Sequence, residues 1–188
     1  LAIGGDVEHI TLIDHILTSL GHVLSGFVFA CITGIPLGLL MGLKRETYEA
    51  SKVILEPLRF IPPIAWIPIV YILIPGYWRY VLVIWLGAFF PILINTITGV
   101  KRTNPVLLNV SKVFGASNSA SILKVVIPSA LPETVAGMRI GLGVGWMCII
   151  AAEMMGGEMS GLGRLIIKNV EILRIDASIV GMAAIGLI

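Results

Sequence analysis

The segment LNVSKVFGASNSASILKVVIPSALPETVAGMRIGLGVG, Leu108 to Gly145, decides how this chain is built. Its first half is polar, carries Lys112 and can form a helix, yet it is wedged between two long apolar runs. That composition suits neither a buried core nor a lipid-facing span. The segment therefore belongs in water, against a membrane or a partner. Gly115 can take the φ > 0 conformation that lets a short helix stop and turn, while Pro128 and Pro132 are expected to end one element and begin the next. The expected product is a helix, a turn and a second short helix at a cytoplasmic corner, covering about residues 105–128.

The rest of the chain explains why a corner is needed. Hydrophobic residues make up 57% of it and charged residues only 13%, with a mean hydropathy of +0.99. Soluble domains carry about a quarter charged residues, so this is an integral membrane protein whose main surroundings are the lipid bilayer. A net charge of +2, spread over the ends of apolar runs, predicts no nucleic-acid partner. Cys31 and Cys148 lie inside apolar stretches and read as small packing residues, with no redox or metal role. The chain opens at Leu1 rather than Met and stops at Ile188 inside an apolar run, without a signal-peptide pattern at its start. It is read as a piece of a longer protein that lacks its first span and most of its last.

Working outward in chain order, Leu1 to Asp14 carries Asp6, Glu8 and Asp14 and no Lys or Arg, which places it outside the cytoplasm. Residues 16–43 form a first span, longer than the roughly 20 residues a bilayer core requires. Gly26, Ala30, Gly34, Gly38 and Gly42 recur along it every four residues and predict a face for close helix packing, and Pro36 predicts a kink. A helix over 47–56, interrupted by Pro57, leads into a second span over 54–74 that Pro62, Pro63 and Pro68 must break. Broken backbone at membrane depth is tolerated only when it is buried in protein or lines a cavity, so 61–68 is expected to face a pathway. Residues 80–100 form a third span containing Pro91 and Asn95, and Lys101-Arg102 ends it on the cytoplasmic side. After the corner, 134–155 recrosses with Gly137, Gly141 and Gly145 at four-residue spacing; an outer loop starting at Gly156-Gly157, an amphipathic helix over 162–173 and a truncated span over 177–188 follow. Lys44, Arg45, Lys52, Arg59, Lys101, Arg102, Lys112 and Lys124 fall on the corner's side and Arg79, Arg164, Lys168 and Arg174 opposite, the direction of the positive-inside rule.

Gly115 is followed at fixed intervals by Val125, Ile127 and Pro128, then by Ala130, Leu131, Pro132, Gly137 and Arg139. This spacing resembles the "EAA" loop of ABC-importer membrane subunits, with Asn109-Val110-Ser111 standing where that family has Glu-Ala-Ala. Three further stretches carry the resemblance: 19–27 running into Gly34-Ile35-Pro36-Leu37-Gly38, Ile61-Pro62-Pro63-Ile64-Ala65-Trp66-Ile67-Pro68, and Ala152-Glu153 with Gly161-Leu162-Gly163. The nitrate, sulfonate and taurine branch is the most similar, although 72–79 departs from its usual Trp-Phe-Gly-Ile-Gly. The resemblance implies an all-α polytopic membrane helix bundle of the type I ABC-importer permease kind, in the cell (inner or cytoplasmic) membrane. It also implies a second copy of the permease, separate ABC ATPase subunits docked on the two corners, and an extracytoplasmic binding protein that delivers substrate. Asn109, Ser111, Phe114, Gly115, Ala116, Ser117 and Pro128 are the implied coupling residues.

The remaining candidates line the pathway: Pro62, Pro63, Trp66, Asn95, Trp146 and Glu153. An ionisable residue such as Glu153 near the end of an apolar span is expensive and by default functional. Two readings of it stay open, one as a pathway or gate residue and one as a carboxylate pinning the outer loop through backbone amides or Arg164. Asn95, Trp66 and Trp146 also admit a plain packing role, and Arg139 reads as a snorkelling or helix-tethering side chain. His15 and His22, seven apart, share a helix face and read as packing or interfacial residues rather than metal ligands. No Gly-rich phosphate loop and no nucleophile with its base are visible, so no catalytic residue and no cofactor is expected and ATP hydrolysis falls to a partner. The rival function is a channel or ion-coupled carrier working without an ATPase. Substrates within the resemblance are small anions or sulfonates such as nitrate, taurine or alkanesulfonate.

Overall fold

A computed structural model describes residues 11–156 and 159–188, and they are helical almost throughout. Asp6, Glu8 and Gly157, which enter the expectations for the N-terminal stretch and the outer loop, lie outside the described residues. Among the described residues three helices are long and apolar enough to cross a membrane, and a bent pair makes a fourth candidate. The central one is α4, Tyr77–Lys101, with α1, Leu12–Leu43, on one side and α7, Ile127–Met155, on the other.

Glycine spacing determines why α4 is central. In lipid, helices gain nothing from hiding apolar surface from one another, so close van der Waals approach has to hold them together. A Cβ on Gly26, Gly34, Gly38 or Gly42 of α1 would run into Ile84, Ile92, Thr96 or Val100 of α4, in constant register. Both numbers rise together, so α1 and α4 are parallel. Gly137, Gly141 and Gly145 of α7 meet Asn95, Ala88 and Ile84 in the opposite order, so α7 runs antiparallel to α4. Tyr80, Ile84, Ile92, Leu93 and Ile149 are fully buried in the resulting seam.

Parallel neighbours require the intervening chain to travel back the length of the bundle. It does so as α2, Arg45–Phe60, followed by a 3-10 turn, Pro63–Trp66, and α3, Ile67–Leu73, with a bend of 86° between the two helical parts. At one end Lys101 of α4 lies over the ring of Tyr48; at the other the Tyr71 hydroxyl donates to the Ala152 carbonyl at 2.6 Å. The break is thus part of a crossing and not a re-entrant loop. Two details differ from the sequence expectation. The helix starts at Arg45 and runs through Pro57, because α2 buries no residue and the one hydrogen bond a proline removes is tolerated on an open surface. The break falls at 61–62, where Pro62 and Pro63 lie side by side as expected, but Pro68 sits in the first turn of α3 and breaks nothing.

The corner also differs in one respect. α5, Pro105–Val113, forms as expected, but α6, Asn118–Ser121, is not a separate second helix. It continues through a π-turn, Ile122–Val126, directly into α7, giving one rod over Asn118–Met155. Pro128 causes this without ending the helix: it has no N–H, and its ring crowds the carbonyl of Lys124, so the preceding turn widens until the Ile127 N–H reaches the Ile122 carbonyl. Pro132 likewise stays inside α7, and Pro36 inside α1. At the far end α8, Leu162–Glu171, folds back against α7, and α9, Ile175–Leu187, packs on α8 through Gly181 against Ile166.

Candidate functional site

The corner is built by local hydrogen bonds. Asn104 caps α5 by accepting from the Val106 N–H at 2.9 Å, with Pro105 in the first turn, where its missing N–H costs nothing. α5 ends at Gly115, φ 74°, with Gly115 N–H donating to the Lys112 carbonyl at 2.9 Å and Ala116 N–H to Ser111 at 3.0 Å. This paired closure needs a left-handed residue, which glycine supplies without steric cost. Ser117 then caps α6 through the Ala120 N–H. The single proton of the Ser111 hydroxyl goes to the Leu108 carbonyl, so Ser121 donates to Ser111 at 2.8 Å and ties α5 to α6. Leu108 anchors α5 against Val100, Val126 and Ala130, and Arg102 pairs with Glu133, joining the end of α4 to α7.

The elbow so fixed presents apolar side chains outward. Val113 is 85% exposed and Phe114 86%, with Val110 beside them on α5. Asn109, Gly115, Ser117 and Pro128 are also exposed, whereas Ser111 and Ala116 are half-buried. Ser111 therefore holds the elbow's shape, and Phe114 and Asn109 provide its outer surface.

Farther along the bundle, the break in the crossing opens a groove of about 390 Å³ against α4 and α7. Pro63 and Asn95 both line it, together with Arg59, Phe60 and Pro91. Asn95 donates from Nδ2 to the Pro91 carbonyl, one helical turn earlier, at 2.8 Å. Pro62 is exposed at the bend. Trp66 does not join the groove. It lines a separate apolar cavity with Leu37, Trp85 and Phe89 and packs, as Trp146 does, on the core around Tyr80 and Ile149.

Glu153 lies elsewhere again, in a buried polar cluster at the end remote from the corner. It is 1% exposed. Ser19 Oγ lies 2.8 Å from both carboxylate oxygens, Gly163 N–H donates to Oε2 at 3.0 Å, and His22 Nδ1 lies 3.4 Å from Oε1. Ser19 Oγ also accepts from the Leu162 N–H at 2.8 Å, and His15 Nδ1 meets Gly161 at 2.9 Å. His22 stacks on Tyr80 with ring centres 4.5 Å apart. The carboxylate ties α1, α7 and the start of α8 through Ser19, His22 and one backbone amide, that of Gly163. Ser19 and Arg59 are the residues that sequence reasoning passed over. His15, Ser19 and His22 recur at helical spacing in an apolar span, a signal sufficient to find the first. Arg59 was counted among cytoplasmic cations, yet it lines the groove beside Asn95, partway down α4.

The family model described as "Binding-protein-dependent transport system inner membrane component" matches residues 34–188. A Methanocaldococcus jannaschii protein provisionally named as an ABC transporter permease is 42% identical over 179 residues, covering 95% of this chain and 67% of that protein. The taurine transport system permease protein TauC of Escherichia coli is 35% identical, over 95% of this chain and 65% of its own length. The bicarbonate transport system permease protein CmpB of Synechococcus elongatus is 38% identical, over 78% of this chain and 53% of its own length. This chain thus spans between about half and two thirds of the relatives it matches.

Proposed function

Because this chain belongs to the binding-protein-dependent transport system inner membrane components, and is thus a multi-pass transport component rather than an enzyme, we propose that it forms half of the translocation pathway of an ATP-driven importer. A separate ATPase grips the elbow at 108–128, a second copy of the permease completes the pathway, and a soluble binding protein outside the membrane delivers the substrate. The observation that carries the docking role is the elbow itself: Phe114, 86% exposed, on a hydrogen-bonded turn rigidly continuous with a helix over Asn118–Met155. Apolar side chains held outward on a segment that belongs in water mark an interaction site. Closure of a partner on this elbow is passed into α7 as a rigid-body movement, because no flexible joint intervenes. The names of the relatives, which specify taurine, nitrate and bicarbonate, support a small anion or sulfonate as substrate.

Gly115→Pro provides the test. Proline forces φ near −65° where the elbow needs a positive value, and it removes the N–H that closes α5. In proteoliposomes containing the full-length permease, ATPase and binding protein, uptake should fall at least tenfold while ATP hydrolysis persists. Unchanged uptake would remove the elbow from the mechanism, and transport by wild type without any ATPase would favour the channel or carrier reading.

A further inference from the structure

Next to the groove, between α2 and α4, lies a chamber of about 150 Å³. Its polar lining is Tyr48, Lys52, Glu56, Arg59, Thr98 and Lys101, three cations against one carboxylate. Lys52 lies 3.9 Å from Glu56, and Lys101 lies over the Tyr48 ring, 3.0 Å from its centre. Arg59, Phe90 and Ile94 line both the chamber and the groove, so the two adjoin there. The excess of positive charge between apolar walls focuses a field that draws in anions.

Depth distinguishes this cluster from an ordinary basic rim. Arg59 shares its walls with Ile94 and Asn95, six to seven residues before Lys101 ends α4. At 1.5 Å per residue that is about 10 Å below the end of the helix. There the Arg59 side chain is exposed, with its guanidinium carbon 5.0 Å from the Phe60 ring centre, where an ion in the groove can reach it. Size narrows the class further, because 150 Å³ is room for about five water molecules at about 30 Å³ each. A planar or tetrahedral oxyanion fits in that space with part of its hydration.

The geometry points to this chamber as a transit site for a small oxyanion, which enters from the groove at Arg59 and is received by Lys52 and Lys101 before release at the corner end. As a step in import this rests on the reading above, but binding itself does not. The full-length permease in phosphatidylcholine nanodiscs, without ATPase, should bind nitrate or bicarbonate saturably in a calorimetric titration. Arg59→Gln should weaken binding at least tenfold, Arg59→Lys should restore most of it, and Arg174→Gln at the opposite end should leave it unchanged. Wild type that binds neither anion, or Arg59→Gln that binds as wild type does, overturns the site. A lipid phosphate filling the chamber would appear as phosphatidylglycerol retained by wild type and lost from Arg59→Gln, with no nitrate bound, and this too overturns it. Anion binding without ATP-driven uptake would count against the importer reading alone.

Discussion

Gly161 shows how strongly a single position can be constrained. Its φ of 135° is a conformation that side-chain-bearing residues rarely adopt, and an added Cβ would also meet the Glu153 carboxylate. Backbone strain of this kind costs about 1–3 kcal/mol before any clash is counted. Gly161→Ala should therefore lower the melting temperature of the detergent-solubilised protein clearly, while Gly21→Ala, where a Cβ meets nothing within 4 Å, should not. Ser19→Ala tests the same cluster from α1. It removes the hydroxyl that serves both the carboxylate and the Leu162 N–H, and hydrogen bonds to charged groups contribute about 1.5–3 kcal/mol each. Melting of Ser19→Ala at the wild-type temperature would show that Glu153 is held by its other partners alone.

Helix pairs are governed by backbone approach. α1 meets α4 through glycines whose missing side chains leave no slack: at Gly38 a Cβ would lie 2.7 Å from Thr96 Cβ and 3.0 Å from the Leu93 carbonyl oxygen. Gly38→Val should cost about 1–3 kcal/mol as an overpacked contact, since α4 cannot retreat without losing α7 on its other side. Measured in mixed micelles, the variant should unfold at lower denaturant; equal stability would mean that the helices separate freely here. The π-turn before Pro128 gives a different prediction. Pro128→Ala restores an N–H and removes the ring that crowds Lys124, so the turn can tighten and rotate the elbow relative to α7. Uptake per ATP hydrolysed should fall several-fold with little change in melting temperature.

For the whole molecule, parallel α1 and α4 require an intervening crossing, which puts Lys44, Lys101 and the elbow at one end and the start of α8 at the other. With Cys31→Ala and Cys148→Ala as background, a membrane-impermeant maleimide should label Ser117→Cys only from the cytoplasmic side and Met159→Cys only from outside. Labelling of both from one side would contradict a crossing by the rod over Asn118–Met155. The apolar surface left on α2, including Val53 at 76% exposed, suits lipid or a second copy and does not alter this assignment.

Much of this was legible from residue order. The bilayer imposes a local demand: every backbone polar group must be satisfied within its own helix, so apolar length, proline position and small-residue spacing reveal spans, break and packing faces directly. The Gly115 elbow was legible for the same reason, since a left-handed closure depends on neighbours a few residues away. Tertiary structure decided what local order cannot encode. Only the packed bundle brings Ser19, a residue of α1, onto Glu153 and puts Arg59 in the groove beside Asn95. Each depends on which helices become neighbours and in which direction they run, and that is settled by contacts between residues tens to more than a hundred positions apart.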